Sequence, residues 1–114
     1  MKQGEIWQIN LDPTVGSEIQ KIRPAVIVND DALGKLPLKI IVPITDWKQR
    51  YEIAPWMVNL FPDKDNNLIK ESAADCFQVR SLSVVRFTKK IGIISHAKLE
   101  AIKESLAKVL SIRD

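Results

Sequence analysis

One cysteine and one histidine occur in the 114 residues. The lone Cys76 excludes an intrachain disulfide, and a reducing cytoplasm is the simplest setting for it. The lone His96 excludes the paired imidazoles of many acid–base sites. One residue of each kind makes no zinc-type ligand cluster. Asp63 and Asp65 lack the remaining spacing of a calcium loop, so no metal is expected. Neither G-x-x-x-x-G-K nor G-x-G-x-x-G is present, which removes the phosphate cradles of nucleotide cofactors, and no cofactor is expected. Ser17 sits in a Gly16-Ser17 dipeptide and not in a G-x-S-x-G elbow, so covalent catalysis has little support. No apolar run approaches the ~18 residues of a membrane span. The opening MKQGEIW has no apolar h-region, and neither a secretory signal nor a membrane partner is expected.

What is present fits one domain over 1–114, with no repeat, linker or low-complexity tract. An apolar share of 46% beside 27% charged residues is ordinary for a globular chain. A net charge of +3 permits a polyanionic partner without requiring one. Glu5 to Leu11 alternates with period two and reads as a strand, stopped by Asp12-Pro13. Pro24 opens a second strand, Ala25 to Val28, whose β-branched residues suit burial. Further strands are expected at Leu38–Ile44, at 55–60, at Glu71–Arg80, at Ser83–Phe87 and at Ile91–Ile94, with Thr88-Lys89-Lys90 as a hairpin link. Pro43 marks an edge, bend or bulge. Ser95 is a good N-cap for a final helix, on which Leu99, Ile102, Leu106, Val109 and Leu110 form one apolar face. Many short strands and one terminal helix argue for a small barrel or a strongly bent sheet. The pattern alone does not choose among an SH3-like barrel, an OB-like barrel and an α+β sheet.

Several short motifs occur in order along this pattern: Gly4-Glu5-Ile6-Trp7, Leu11-Asp12-Pro13-Thr14, Gly16-Ser17-Glu18, Lys21-x-Arg23-Pro24-Ala25-Val26-Ile27-Val28, Val42-Pro43-Ile44-Thr45 and Gln78-Val79-Arg80-Ser81-Leu82. Together they resemble the MazF/PemK/Kid family of toxin endoribonucleases over nearly the whole chain. The resemblance implies a mainly β fold with a C-terminal helix, an SH3-like small β-barrel that pairs as a homodimer. It implies a metal-independent, sequence-selective cut of single-stranded RNA that leaves a 2′,3′-cyclic phosphate and a 5′-hydroxyl. It also implies a cytoplasmic toxin whose partner is a cognate antitoxin with an acidic disordered tail, the pair binding DNA together. Catalytic roles fall on Arg23 and Thr45.

The residues give these roles a physical basis. Arg23 is held against a rigid proline at the mouth of a buried strand, and Thr45 stands at a strand exit. A guanidinium donates two parallel hydrogen bonds to phosphate. Arginine is a poor base, so Arg23 is read chiefly as stabilising the oxyanion, and Thr45 as holding a non-bridging oxygen. Glu18, Lys21, Trp47, Lys48, Arg50, Gln78 and Arg80 are candidate substrate contacts, since aromatic faces interleaved with cations suit unstacked bases. The other reading of Trp47 and Tyr51 is that they anchor their loop on the barrel. Trp7 is read as core or dimer interface, and the loops 46–54 and 63–70 as carriers of specificity. One departure stands out. Some family members carry an acid immediately before the glutamine of the Q-x-R motif, whereas this chain has Phe77. Glu18 or Asp75, the latter two residues earlier on the same predicted strand face, could then serve as general base. The alternative function is a non-catalytic nucleic-acid- or peptide-binding SH3-like barrel. A gyrase inhibitor on a related barrel is disfavoured because the nuclease motifs are present.

Overall fold

A computed structural model describes residues 1–13, 15–18 and 21–113. Thr14 of the first motif, Ile19 and Gln20 of the first loop, and Asp114 lie outside the described residues. The described residues form seven strands and one α-helix: β1 (Glu5–Asn10), β2 (Ile22–Ile27), β3 (Leu38–Asp46), β4 (Met57–Leu60), β5 (Ser72–Asp75), β6 (Arg80–Ser83), β7 (Phe87–Ile93) and α1 (His96–Val109). The pairings are antiparallel in the order β4-β5-β3-β2-β1-β7, with β6 also on β3. The architecture is therefore mainly β with a C-terminal helix, a strongly bent, barrel-like sheet whose ladder stays open between β4 and β7.

A turn laces that opening. Ile93 N–H donates to the Asp65 carbonyl at 2.9 Å, and Asn67 Nδ2 donates to the Ile91 carbonyl at 2.8 Å. The turn backbone lies directly on Gly92, where an added Cβ would meet the Asn66 carbonyl oxygen at 2.7 Å. Asn66 is buried and holds the turn from inside. Its Oδ1 accepts from Asp63 N–H and Leu68 N–H, and its Nδ2 donates to the Phe61 carbonyl.

The two faces of the bent sheet carry separate apolar clusters. Ile6, Val26, Val42, Ile44, Leu60, Ala74 and Ile94 pack with Ile102 of α1. Ile9, Leu11, Ala25, Ile27, Ile41 and Leu82 form the second cluster, with Trp7 and Phe87 packed against it. Helix α1 starts at Ser95, whose hydroxyl accepts from Lys98 N–H at 3.2 Å, as expected of an N-cap.

Strand β1 keeps its alternation: Ile6 packs into one cluster and Ile9 into the other, and the extra residues of the irregular register lie on the β7 side. Three expectations need correction. Pro24 does not open β2; it lies inside the strand opposite Gln8. The expected strand 71–80 is interrupted after Asp75 by a 3₁₀ turn, Cys76–Gln78, and a second such turn occupies Val84–Arg86. Residues 88–90 are no hairpin link but the middle of β7, a terminal strand of the sheet. Lysines on such a strand guard an open edge, so their charge misled the reading.

The β3 register explains the interrupted strand. Ile44–Asp46 pair with β5 and Leu38–Ile41 with β6, so the stretch 75–79 bulges away opposite Val42 and Pro43. Pro43 has no N–H to offer at that point, in keeping with the bulge expected there. Gly92→Ala is expected to destabilise the fold by about 1–3 kcal/mol through overpacking against the 65–66 backbone. Thermal unfolding measures this, and an unchanged midpoint would remove the turn from the closure of the sheet.

Candidate active site

Arg23 and Thr45 meet because β2 and β3 are neighbours in a particular register. Ala25 pairs with Pro43, Val26 with Val42 and Ile27 with Ile41. Continued by two residues, that register sets Arg23 across from Thr45, at the separation where cross-strand side chains interact. The ladder ends at Ala25 and Pro43 because Pro24 cannot extend it. Beyond this point both strands line one cleft of about 340 Å³, shared with Ile22, Asp46, Leu68 and Lys70.

Strand alternation puts Arg23 and Thr45 on the face of Ile9, Ala25 and Ile41. Arg80 is paired with Ile41 and falls on that face too. A second depression, about 250 Å³, opens there between Leu11, Glu18, Pro43, Phe77, Gln78 and Arg80. The structure thus brings five of the expected residues to one side of the sheet: Arg23, Thr45, Glu18, Gln78 and Arg80. Glu18 Oε2 stands 3.9 Å from Arg80 Nη1, and its other oxygen accepts from Val15 N–H at 2.7 Å. Lys21, exposed with φ of 70°, is tied to the base of this loop, its N–H donating to Asp12 Oδ1.

The Cys76–Gln78 turn supplies the rear wall. Asp75 caps it, accepting from Phe77 N–H on Oδ1 and from Gln78 Nε2 on Oδ2, both at 3.1 Å. Asp75 is only 6% exposed, so it caps without being solvated. Burial pushes its carboxyl above the ordinary aspartate value, although the Gln78 and Phe77 hydrogen bonds pull the other way. Because the turn breaks the strand, Asp75 does not share a strand face with Phe77, and it opens instead on a depression with Trp56, Phe77 and Gln78. Cys76 is fully buried against α1 and burial pushes its thiol up, consistent with an inert core thiol.

Trp47, Lys48 and Arg50 lie elsewhere. The rings of Trp47 and Tyr51 pack edge to face at 5.8 Å, and the Arg50 guanidinium stands 5.3 Å from the Tyr51 ring centre. Trp47 and Tyr51 line a depression that also holds Glu52 and Glu71. Trp47, Arg50 and Tyr51 thus pack on one another within the loop. The sequence reading passed over Asp46 and Lys70 individually. Their side chains form an ion pair at 3.0 Å beside Thr45 in the first cleft. Opposite charges twenty-four residues apart carry no signal until the fold brings them together.

A family model described as PemK-like, MazF-like toxin of type II toxin–antitoxin system matches residues 2–110. The chain belongs to this family. This MazF-like toxin is 33% identical over 112 residues to endoribonuclease MazF9 of Mycobacterium tuberculosis, covering 93% of this chain and 92% of that protein. It is 30% identical over 107 residues to endoribonuclease MazF of Staphylococcus epidermidis, covering 93% and 88%. Its fold matches the crystal structure of MazF from Deinococcus radiodurans with a TM-score of 0.81 at 22% identity, over 98% of this chain and 97% of that one. A mycobacterial endoribonuclease in complex with its cognate antitoxin matches with a TM-score of 0.78 at 16% identity, over 100% and 98%. No helix among the described residues of the MazF-like chain is long and apolar enough to cross a membrane.

The raised Asp75 carboxyl means that the folded toxin keeps a proton where the unfolded chain has released it. Its contribution to stability is full below the unfolded value of 3.8 and is lost as pH rises through the folded one. Asp75→Asn, which keeps an oxygen for the cap, is expected to lack that loss. The midpoint difference, variant minus wild type, should grow more positive as pH rises from about 4 toward neutrality. Thermal unfolding across that range checks it; a flat or falling difference contradicts the assignment.

Proposed function

We propose that this MazF-like toxin is an endoribonuclease that cuts single-stranded RNA with the substrate's own 2′-hydroxyl as nucleophile. The observation that carries the reading is the register of β2 against β3, which sets a guanidinium and a hydroxyl on one face beside a charged depression. Its endoribonuclease relatives support it over the length of the chain. The 2′-oxygen forms a bond to the adjacent phosphorus and the bond from phosphorus to the 5′-oxygen breaks, leaving a 2′,3′-cyclic phosphate and a 5′-hydroxyl. Arg23 stabilises the charge gathering on the phosphoryl oxygens, and the Thr45 hydroxyl donates to a non-bridging oxygen. No step requires a metal, because the nucleophile comes with the substrate.

Of the two carboxylates considered as base, Glu18 has the better placement. It is half exposed on the face of Arg23 and Arg80, whereas both oxygens of buried Asp75 already hold the turn. We assign the 2′-proton to Glu18, while water or a protonated group supplies the leaving oxygen. The same basic face is where the acidic disordered tail of a cognate antitoxin would compete with RNA, attracted by Lys21, Arg23 and Arg80. A homodimer in the cytoplasm, each copy a single toxin domain over 1–114, completes the reading.

The test is incubation of the purified protein with a long single-stranded RNA in EDTA, with mapping of cut sites and end chemistry. Arg23→Ala and Thr45→Ala are expected to stay folded and to lose about 10²–10³-fold or more in kcat. Glu18→Gln is expected to lose about 10²–10⁴-fold. Binding without cutting by the wild type would instead make this a groove-binding barrel, and full activity in any one variant would remove that residue from the site.

A further inference from the structure

Phe77 and Trp56 have no role in the chemistry above. Phe77 stands where some family members carry an acid, yet it is 67% exposed on the outside of the 3₁₀ turn. Trp56 is 39% exposed beside it, the rings meeting edge to face at 6.0 Å. An exposed aromatic pair loses its hydrophobic contribution to water, and packing of the core does not account for it. The pair is nonetheless held in place. Cys76 N–H donates to the Trp56 carbonyl at 2.8 Å, Cys76 is buried under α1, and Asp75 caps the turn that carries Phe77. Both rings therefore sit on anchored backbone.

Their surroundings indicate what they would hold. Trp56, Phe77, Asp75 and Gln78 line a depression of about 360 Å³. Phe77 and Gln78 also line the depression that contains Glu18 and Arg80. The turn is thus a ridge with the guanidinium of Arg80 on one side and aromatic faces on the other. Pro43 lies in the Arg80 depression and is two residues from Thr45 on the same strand face, about 7 Å along the strand. A cation, an amide and flat apolar rings in adjoining depressions, the nearer of which reaches Pro43 on the strand of Thr45, match the three parts of a single-stranded RNA residue: phosphate, base edge and base face.

We propose that Trp56 and Phe77 form a stacking platform for one unpaired base of the RNA flanking the scissile phosphate, with Gln78 at that base's edge and Arg80 at its phosphate. The proposal rests on the endoribonuclease reading of the same face. It gives Phe77 a binding role in place of the acid that stands there in other members.

The test measures binding and cleavage separately. A fluorescent single-stranded RNA of mixed sequence is titrated in EDTA by anisotropy, unlabelled RNA is titrated against the tryptophan fluorescence of wild type and Trp56→Phe, and the same proteins are assayed for cut sites on a long RNA. Phe77→Ala is expected to weaken binding about 5- to 150-fold, the range for loss of one stacked base. It should raise KM more than it lowers kcat and relax the base preference at one position beside the cut. Phe77→Tyr should restore all three, and RNA should quench the tryptophan fluorescence of the wild type more than that of Trp56→Phe. Wild-type affinity and an unchanged cut map in Phe77→Ala, or a Phe77→Tyr protein no better than the alanine variant, overturns the platform while leaving the nuclease reading intact. RNA binding that depends on Phe77 without any cutting supports the platform and sinks the nuclease. A Phe77→Ala protein that changes only its oligomeric state by light scattering, with its RNA affinity intact, assigns the rings to contact between copies and overturns the proposal.

Discussion

Two missing amide protons organise this molecule. Pro24 and Pro43 lie on adjacent strands where a continuous ladder would need donors, and neither has one. Between β2 and β3 the ladder stops, and the freed ends carry Arg23 and Thr45 into a cleft. On the other edge of β3 the partner chain leaves between Asp75 and Arg80, and the slack becomes the turn that presents Phe77 and Gln78. A sheet with regular pairing at both places would bury these four residues in a flat surface with no concavity for a substrate.

Such gaps are tolerable because the apolar groups beneath them are well packed. Ala25, Ile41 and Val42 are fully buried next to the break, and Ile102 of α1 closes the core behind Cys76. Buried strands on both sides over-determine the backbone, so polar side chains at the rim are held without hydrogen bonds of the sheet itself. The division of labour follows: the two clusters hold the frame, the strand ends beyond the prolines present Arg23 and Thr45, and the turn at 65–67 closes the sheet.

Local patterns in the chain were enough for the framework but not for its interruptions. The N-cap at Ser95, the apolar face with Ile102 and Leu106, and the β-branched runs through Val26 and Val42 depend on near neighbours, so they could be read directly. The pairing of Arg23 with Thr45 was legible only through the motif resemblance, since nothing local says which strands adjoin. The turn at Cys76–Gln78 was missed because its cause, the absent donor of Pro43, sits more than thirty residues away on another strand. The same holds for Asp46 and Lys70, and for the packing of Trp47 and Arg50 on Tyr51. Asp75 reads in sequence as a possible general base, and only the fold shows both of its oxygens engaged and the residue buried.

The burial of Cys76 has a chemical corollary. Its sulfur contacts the carbonyls of Ala74 and Ile102 at 4.0 Å and is closed to solvent, and the poorly acidic thiol holds little of the thiolate that reacts with alkylating agents or peroxide. The native protein is therefore silent to thiol reagents, and a single cysteine introduced on its surface becomes its sole labelling point.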